Sequence, residues 1–201
     1  SENGEMFGEE YTLVAVADYV LKHTPGNTVS NLSSSRALKD VTEAYGQQYH
    51  AAAVGEVNVV AEMKRTHSVI GGEGNGGVIY PESHYGRDAL VGVGLFLSHY
   101  VAQSKKMTEL KSTYPPYFIS KNKMTLSPDM DVDKILEGLK ERYATEKVTD
   151  IDGVKIDFAQ GWVHLRKSNT EPIIRIYSEA KDEAAANQLA EEVIAAAKST
   201  F

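Results

Sequence analysis

The chain contains no cysteine, which removes disulfides, thiolate nucleophiles and thiolate-held zinc from consideration and fits a reducing compartment. It also lacks any apolar run near membrane-spanning length, and its opening SENGEMFGEE has neither the basic start nor the apolar core of a leader. The expectation is a cytosolic protein with no membrane partner. Positive charge is in deficit: 21 Lys and Arg against 28 Asp and Glu give a net charge of −7, which argues against a general nucleic-acid binder because neutralising a phosphate backbone needs a basic face. Any phosphate site must therefore be local. No HExxH, no clustered aspartates and no Ser, His and Asp set in a nucleophile motif occur, so this chain is expected to carry neither a metal site nor a catalytic group of its own. No internal repeat or low-complexity tract appears. What is present is ordinary: 201 residues, 42% hydrophobic and 24% charged, enough for one large domain or two small ones with real cores.

The first half alternates helix and strand signals. Asn3 and Gly4 form a hairpin-type pair whose first strand is missing, so Ser1 is expected to continue something. Leu13, Val16, Ala17, Val20 and Leu21 recur at helical spacing until Pro25 and Gly26. Strands are expected at 28–32, 49–54 and 68–70, and helices at 37–45, closed by Gly46, and 56–65. This alternation predicts an α/β layer with a partly parallel sheet. A helix opens near Asp88, and its interior 90–97 is apolar nearly all round, which predicts burial. The polar, Pro-rich stretch 105–117 reads as a linker. Beyond it a strand at 118–126, a helix capped by Asp131, strands at 148–151, 154–158, 162–166 and 172–177, and a helix at 181–198 predict an α+β domain with an antiparallel sheet. Asp152 and Gly153 give a two-residue hairpin signal.

Two stretches carry chemistry. RKSNTEPIIRIYSEA places an arginine near each end of a polar turn, Arg166 and Arg175, with Ser168, Asn169, Thr170 and Pro172 between. Turn N–H groups, the two hydroxyls and a guanidinium fork can converge on phosphate; the same residues also serve an ordinary solvated hairpin. The second stretch, GGEGNGG at 71–77, formally satisfies GxGxxG, but an extended segment follows where a helix N-terminus would have to receive a pyrophosphate. It reads instead as a loop whose small residues, Gly74 among them, admit a polar ligand, with Glu73 and Asn75 as its functional groups; the alternative is a tight glycine turn at a sheet edge. His84 and Arg87 just before the next helix are candidate polar-site residues. A hydroxyl-gripping loop and a phosphate cradle together describe a phosphosugar.

GGEGNGG followed by VIYP and HYGRDA, then RKSNTEP, resembles the α-D-phosphohexomutases, the family of phosphoglucomutase, phosphomannomutase and phosphoglucosamine mutase. The resemblance covers nearly the whole chain. It implies a four-domain enzyme with its phosphoserine in domain 1, a magnesium-binding aspartate loop in domain 2, a GExSG-type sugar loop in domain 3 and an RxSNTxP phosphate loop in domain 4. This chain looks like domains 3 and 4: residues 1–8 as the tail of a preceding domain, 9–104 as a three-layer α/β sugar-binding domain with a mixed sheet, 105–117 as linker, and 118–201 as a small TBP-like α+β domain with an antiparallel sheet. By resemblance the RxSNTxP residues Arg166, Ser168, Asn169, Thr170 and Pro172 hold the non-reacting phosphate, with Arg175 a further phosphate candidate, while Glu73 and Asn75 contact sugar hydroxyls, with Gly74 between them. Two further carry-overs are Glu56, where many relatives carry GH, and Arg36, at the position where the family uses a basic residue toward the cleft. Asn75 and Gly77 replace a common Ser and His and make the loop look closest to the archaeal-type phosphoglucosamine mutase branch.

The implied reaction interconverts hexose 1-phosphate and 6-phosphate through a phosphoserine and a bisphosphorylated intermediate. Magnesium belongs to the full-length enzyme outside this chain, the partners are the phosphosugar and the preceding domains, and the chain alone is expected to be inactive. The alternative is a free-standing phosphosugar-binding module.

Overall fold

The computed structural model describes residues 1–127, 130–168 and 170–199. It divides into two units, Ser1–Pro116 and Tyr117–Phe201. None of its described helices is long and apolar enough to cross a membrane.

The first unit runs α1 (Glu9–His23), β1 (Thr28–Asn31), α2 (Ala37–Ala44), β2 (Tyr49–Ala52), α3 (Glu56–Thr66), β3 (Ile70–Glu73), β4 (Gly77–Ile79), α4 (Ala89–Gln103) and α5 (Met107–Lys111). Its sheet has the order β2-β1-β3-β4, with β1 parallel to both β2 and β3, and β4 antiparallel to β3. Both faces are covered. A Cβ at Gly71 would come within 2.5 Å of Met63 Sδ on α3, and one at Gly72 within 3.0 Å of Leu13 Cδ1 on α1. Successive strand residues point to opposite faces, so α3 and α1 lie on opposite sides of the sheet. Hence all four residues of β1 are buried, and the buried hydroxyl of Thr28 finds Thr42 on α2 at 2.7 Å.

The second unit comprises β5 (Phe118–Thr125), α6 (Val132–Arg142), β6 (Lys147–Thr149), β7 (Val154–Asp157), β8 (Gly161–Lys167), β9 (Ile173–Ala180) and α7 (Glu183–Lys198). Its strands form an antiparallel sheet in the order β5-β9-β8-β7-β6. Met124, Val163, Leu165, Ile174 and Ile176 alternate onto one face and pack with Ile135 and Leu139 of α6 and Leu189 and Val193 of α7. Asp131 and Asp182 cap the two helices, each accepting from backbone amides of the first turn.

Four sequence expectations fail. β3 extends through Gly71 and Gly72 into Glu73, so half of the glycine run is strand and the rest a hairpin turn into the edge strand β4. The cause is close packing: only glycine leaves room there for Met63 and for the Gly77 carbonyl, 2.0 Å from a Cβ built on Gly72. The 105–117 stretch, read as a linker, belongs to the first unit up to Pro116; it holds α5, and Leu110 and Tyr114 are buried at 1% and 6% exposure. The β6–β7 connection takes four residues, 150–153, because β6 ends at Thr149. Finally, α4 is not enclosed: Leu90, Val93, Leu97 and Val101 are 85%, 56%, 51% and 74% exposed. An apolar circumference predicts burial only when neighbours surround the helix, and α4 packs on α1 and β4 from one side.

Candidate functional site

In the first unit the polar side chains gather at the carboxyl ends of the parallel strands. β1 leads through α2 to β2 on one side, while β3 lies on the other, so the crevice between β1 and β3 is the switch point of the sheet, where open α/β folds hold ligands. Asn31 ends β1 and Glu73 ends β3, 5% and 6% exposed. The Asn31 amide donates to Glu73 Oε1 at 3.1 Å, and Arg87 Nη1 lies 3.1 Å from Glu73 Oε2. Arg87 reaches further to Glu56 at the start of α3, with Nε donating to Oε2 and its backbone N–H to Oε1, both at 2.9 Å. These bonds, the backbone one foremost, hold the Glu56 carboxyl below its ordinary pKa. Glu73, Arg87 and Glu56 are thus one connected chain.

The remaining predicted residues take distinct places. His84 Nε2 meets Asp88 Oδ2 at 3.0 Å, while Asp88 Oδ1 caps α4 by accepting from the Val91 amide; the cap, then His84, lowers the Asp88 pKa. Arg36 immediately precedes α2, where its carbonyl accepts from Asp40. Asn75 Oδ1 accepts from the Gly77 amide at 3.0 Å, closing the β3–β4 turn and leaving its NH₂ to point elsewhere. Gly74 leaves room for a neighbouring side chain: a Cβ there would lie 1.9 Å from Oε1 of Glu10, whose Oε2 accepts from the Ser35 amide. Its own N–H donates to Ser34 Oγ at 3.0 Å. Asn31, Ser34 and Glu10 escaped the sequence reading. The available signal was a carboxamide ending a strand that is otherwise fully buried.

In the second unit the hairpin between β8 and β9 matches expectation in position. Arg166 of β8 stands directly opposite Arg175 of β9, and Arg175 in turn opposite Lys123 of β5. Leu165, Ile174 and Met124 face the helices, so these three cations share the other face, side by side on adjacent strands. Lys123 was not foreseen, because only strand register brings it there. Glu171 offsets one charge, accepting from Arg175 Nη2 at 2.9 Å. Arg166 Nε is buried and has no hydrogen-bond partner among the described residues. Gly153, at φ +64°, lets the 150–153 turn close onto Arg166: a Cβ on Gly153 would meet Leu165 O at 2.1 Å and Arg166 Cβ at 2.9 Å. Ser168 is buried, its N–H donates to Ile173 O at 3.0 Å, and its hydroxyl accepts a long 3.4 Å bond from the Thr170 amide. Leu126 donates to Pro172 O, tying β5 to the turn. Asn169 lies outside the described residues.

The fold and these clusters define the class: a three-layer α/β unit with acid and amide groups at its switch point, followed by an α+β unit whose terminal hairpin concentrates cationic donors. The comparisons agree with that class. Residues 8–117 match the family model for phosphoglucomutase/phosphomannomutase alpha/beta/alpha domain III, and residues 121–196 match that family's C-terminal domain. The chain belongs to the phosphoglucomutase/phosphomannomutase family. It is 36% identical to a phosphoglucomutase/phosphomannomutase of Thermococcus kodakarensis, over 94% of this chain and 42% of that protein. It is likewise 36% identical to a phosphoglucosamine/phosphogalactosamine mutase of Sulfurisphaera tokodaii, over 82% of this chain and 37% of that one. The fold is shared with a Burkholderia thailandensis phosphoglucomutase/phosphomannomutase family protein at TM-score 0.82 and 22% identity, covering all of this chain and 43% of that one. The chain thus spans less than half the length of these relatives.

Proposed function

We propose that this chain is the substrate-holding part of a phosphohexomutase, an isomerase of carbohydrate metabolism that exchanges phosphate between the 1- and 6-positions of a hexose through a phosphoserine and a bisphosphate intermediate. The observation that carries this reading is Arg166: a buried guanidinium Nε without a partner among the described residues, opposite a second arginine and on the strand that leads into the turn carrying Ser168 and Thr170, is a donor that a phosphate completes. Glu73 adds the sugar end. Its two oxygens are oriented by Asn31 and Arg87, and a carboxylate has four lone-pair sites, so each retains room for a sugar hydroxyl.

In this reading both units position the ligand and neither breaks a bond. Magnesium, which the family implies, would neutralise charge on the transferring phosphoryl group; among the described residues no three His, Asp or Glu side chains group to hold a metal ion. Because the family's phosphoserine and magnesium loops belong to domains ahead of the two matched here, the chain alone is expected to bind and not to turn over. Calorimetric titration of the 201-residue chain with glucose 1,6-bisphosphate should show saturable binding that Arg166→Ala weakens about tenfold or more. Unchanged affinity in that variant would refute the cradle, and turnover of glucose 1-phosphate by the chain alone would refute the division of labour.

A further inference from the structure

α4 is an unusual helix for the outside of a protein. It runs 15 residues without an Asp, Glu, Lys or Arg, and its outward stripe, Leu90, Val93, Leu97 and Val101, is more than half exposed at every position. Stripes of this kind mark interaction surfaces. Gly94 lies on the same exposed side, and a Cβ there would meet nothing within 4 Å. Its neighbour Gly92 is explained by Val78, whose side chain sits 3.3 Å from where a Cβ would be, but Gly94 has no such reason within its own unit. Glycine in a helix interior weakens the helix, and it is kept where another backbone comes close. Beside the stripe a groove of about 420 Å³ opens, lined by Phe7, Val93, Phe96 and Leu97 among others.

What covers this face is indicated by the path of the first residues. Phe7 packs edge-on against Phe96 of α4, with ring centroids 5.0 Å apart, Met6 is 81% exposed, and the Thr108 hydroxyl of α5 donates to Glu2. A polypeptide joined ahead of Ser1 would emerge beside α4. The relatives have more than half their length outside the part matched here. We propose that the outer face of α4 is the seat of the additional domain of a full-length phosphohexomutase, which presents to it an uncharged, close-packed surface that meets Gly94 backbone to backbone. This rests on the reading of the chain as part of such an enzyme.

Because the chain has no cysteine, a single introduced one reports on the face. Val101→Cys and, as a control on α2, Lys39→Cys are labelled with a maleimide in two settings. One is the 201-residue chain alone; the other is the same chain spliced behind the part of the Thermococcus kodakarensis relative that it does not span. Labelling of Val101→Cys should slow about tenfold or more in the joined polypeptide while Lys39→Cys is unchanged. Equal rates overturn the proposal. So does a chain that sediments alone as a dimer with Val101→Cys protected, which would make a second copy the occupant, or protection seen only on phosphatidylserine vesicles. A second measurement needs no splice: the chain carrying Val93→Thr, Leu97→Gln and Val101→Gln together should melt no lower than wild type, and a clear drop would assign these residues to the unit's own core and overturn the proposal. Turnover of glucose 1-phosphate by the joined polypeptide is read separately. Turnover without protection defeats the interface and leaves the mutase reading; protection without turnover does the reverse.

Discussion

Arg166 and Arg175 face each other across the β8–β9 ladder, a like-charge pair that strand register enforces. Directly opposed like charges destabilise a sheet, by roughly 0.2–1 kcal/mol by analogy with other cross-strand pairs. Among the described residues Glu171 relieves the Arg175 side. Without anion, Arg166→Gln should therefore melt at the same temperature as wild type or slightly higher. With phosphosugar present, wild type should gain stability by mass action and the variant clearly less, in line with a loss of about 1.5–3 kcal/mol of binding for a charge-assisted contact. Thermal melts with and without ligand measure both; equal ligand-induced shifts would remove Arg166 from the site.

Asn31 predicts a second outcome. Its amide donates to Glu73 while its oxygen accepts from the Ser33 amide and the Ser34 hydroxyl, so Asn31→Ala strands three buried or half-buried groups. Denaturant unfolding should show a loss of about 1–3 kcal/mol. Asn31→Asp should be worse, because it sets a second carboxylate against Glu73. An aspartate variant as stable as wild type would contradict this geometry.

Gly74→Ala tests whether the glycine serves packing. The new methyl would displace Glu10 from its bond to the Ser35 amide, so most of the expected cost, about 1 kcal/mol, is the loss of that bond. Glu10→Ala combined with Gly74→Ala should then cost clearly less than the two single changes summed. Strict additivity in the double-mutant cycle would disconnect the two residues.

His164 predicts the pH dependence. Burial above all pushes its pKa down to about 4, and Nε2–H donates to the Asp152 carbonyl at 2.7 Å. The unfolded chain titrates near the ordinary value of about 6.5, so between pH 6.5 and 4 the unfolded state binds the extra proton and stability falls as pH falls. At pH 4 this amounts to at most about 3 kcal/mol relative to pH 7. His99, also shifted down by burial, acts in the same sense. His164→Gln keeps a donor for Asp152 and should flatten the His164 share of the slope. Parallel wild-type and variant curves across this window would show that His164 is not the group responsible.

Much of this protein was legible from local pattern alone. Helical spacing from Leu13 to Leu21, the strand alternation around Trp162 and Ile176, and the asparagine, serine and proline of the β8–β9 turn each act within a few residues, and such short-range signals were enough for the two fold classes and the place of the β8–β9 hairpin. Tertiary structure decided what depends on residues far apart in the chain. Asn31 meets Glu73 only because β1 and β3 are neighbours in a parallel sheet, and Lys123 joins Arg175 and Arg166 only through the register of β5 on β9. The glycines at 71–77 read equally as room for a ligand or as a tight turn at a sheet edge; only the fold shows the hairpin into the edge strand β4 and the side chains of Met63, Glu10 and Arg87 packed where Cβ atoms at Gly71, Gly74 and Gly77 would lie. α4 looked buried because composition records what a helix can bury, and only packing shows which of its faces has something to be buried against.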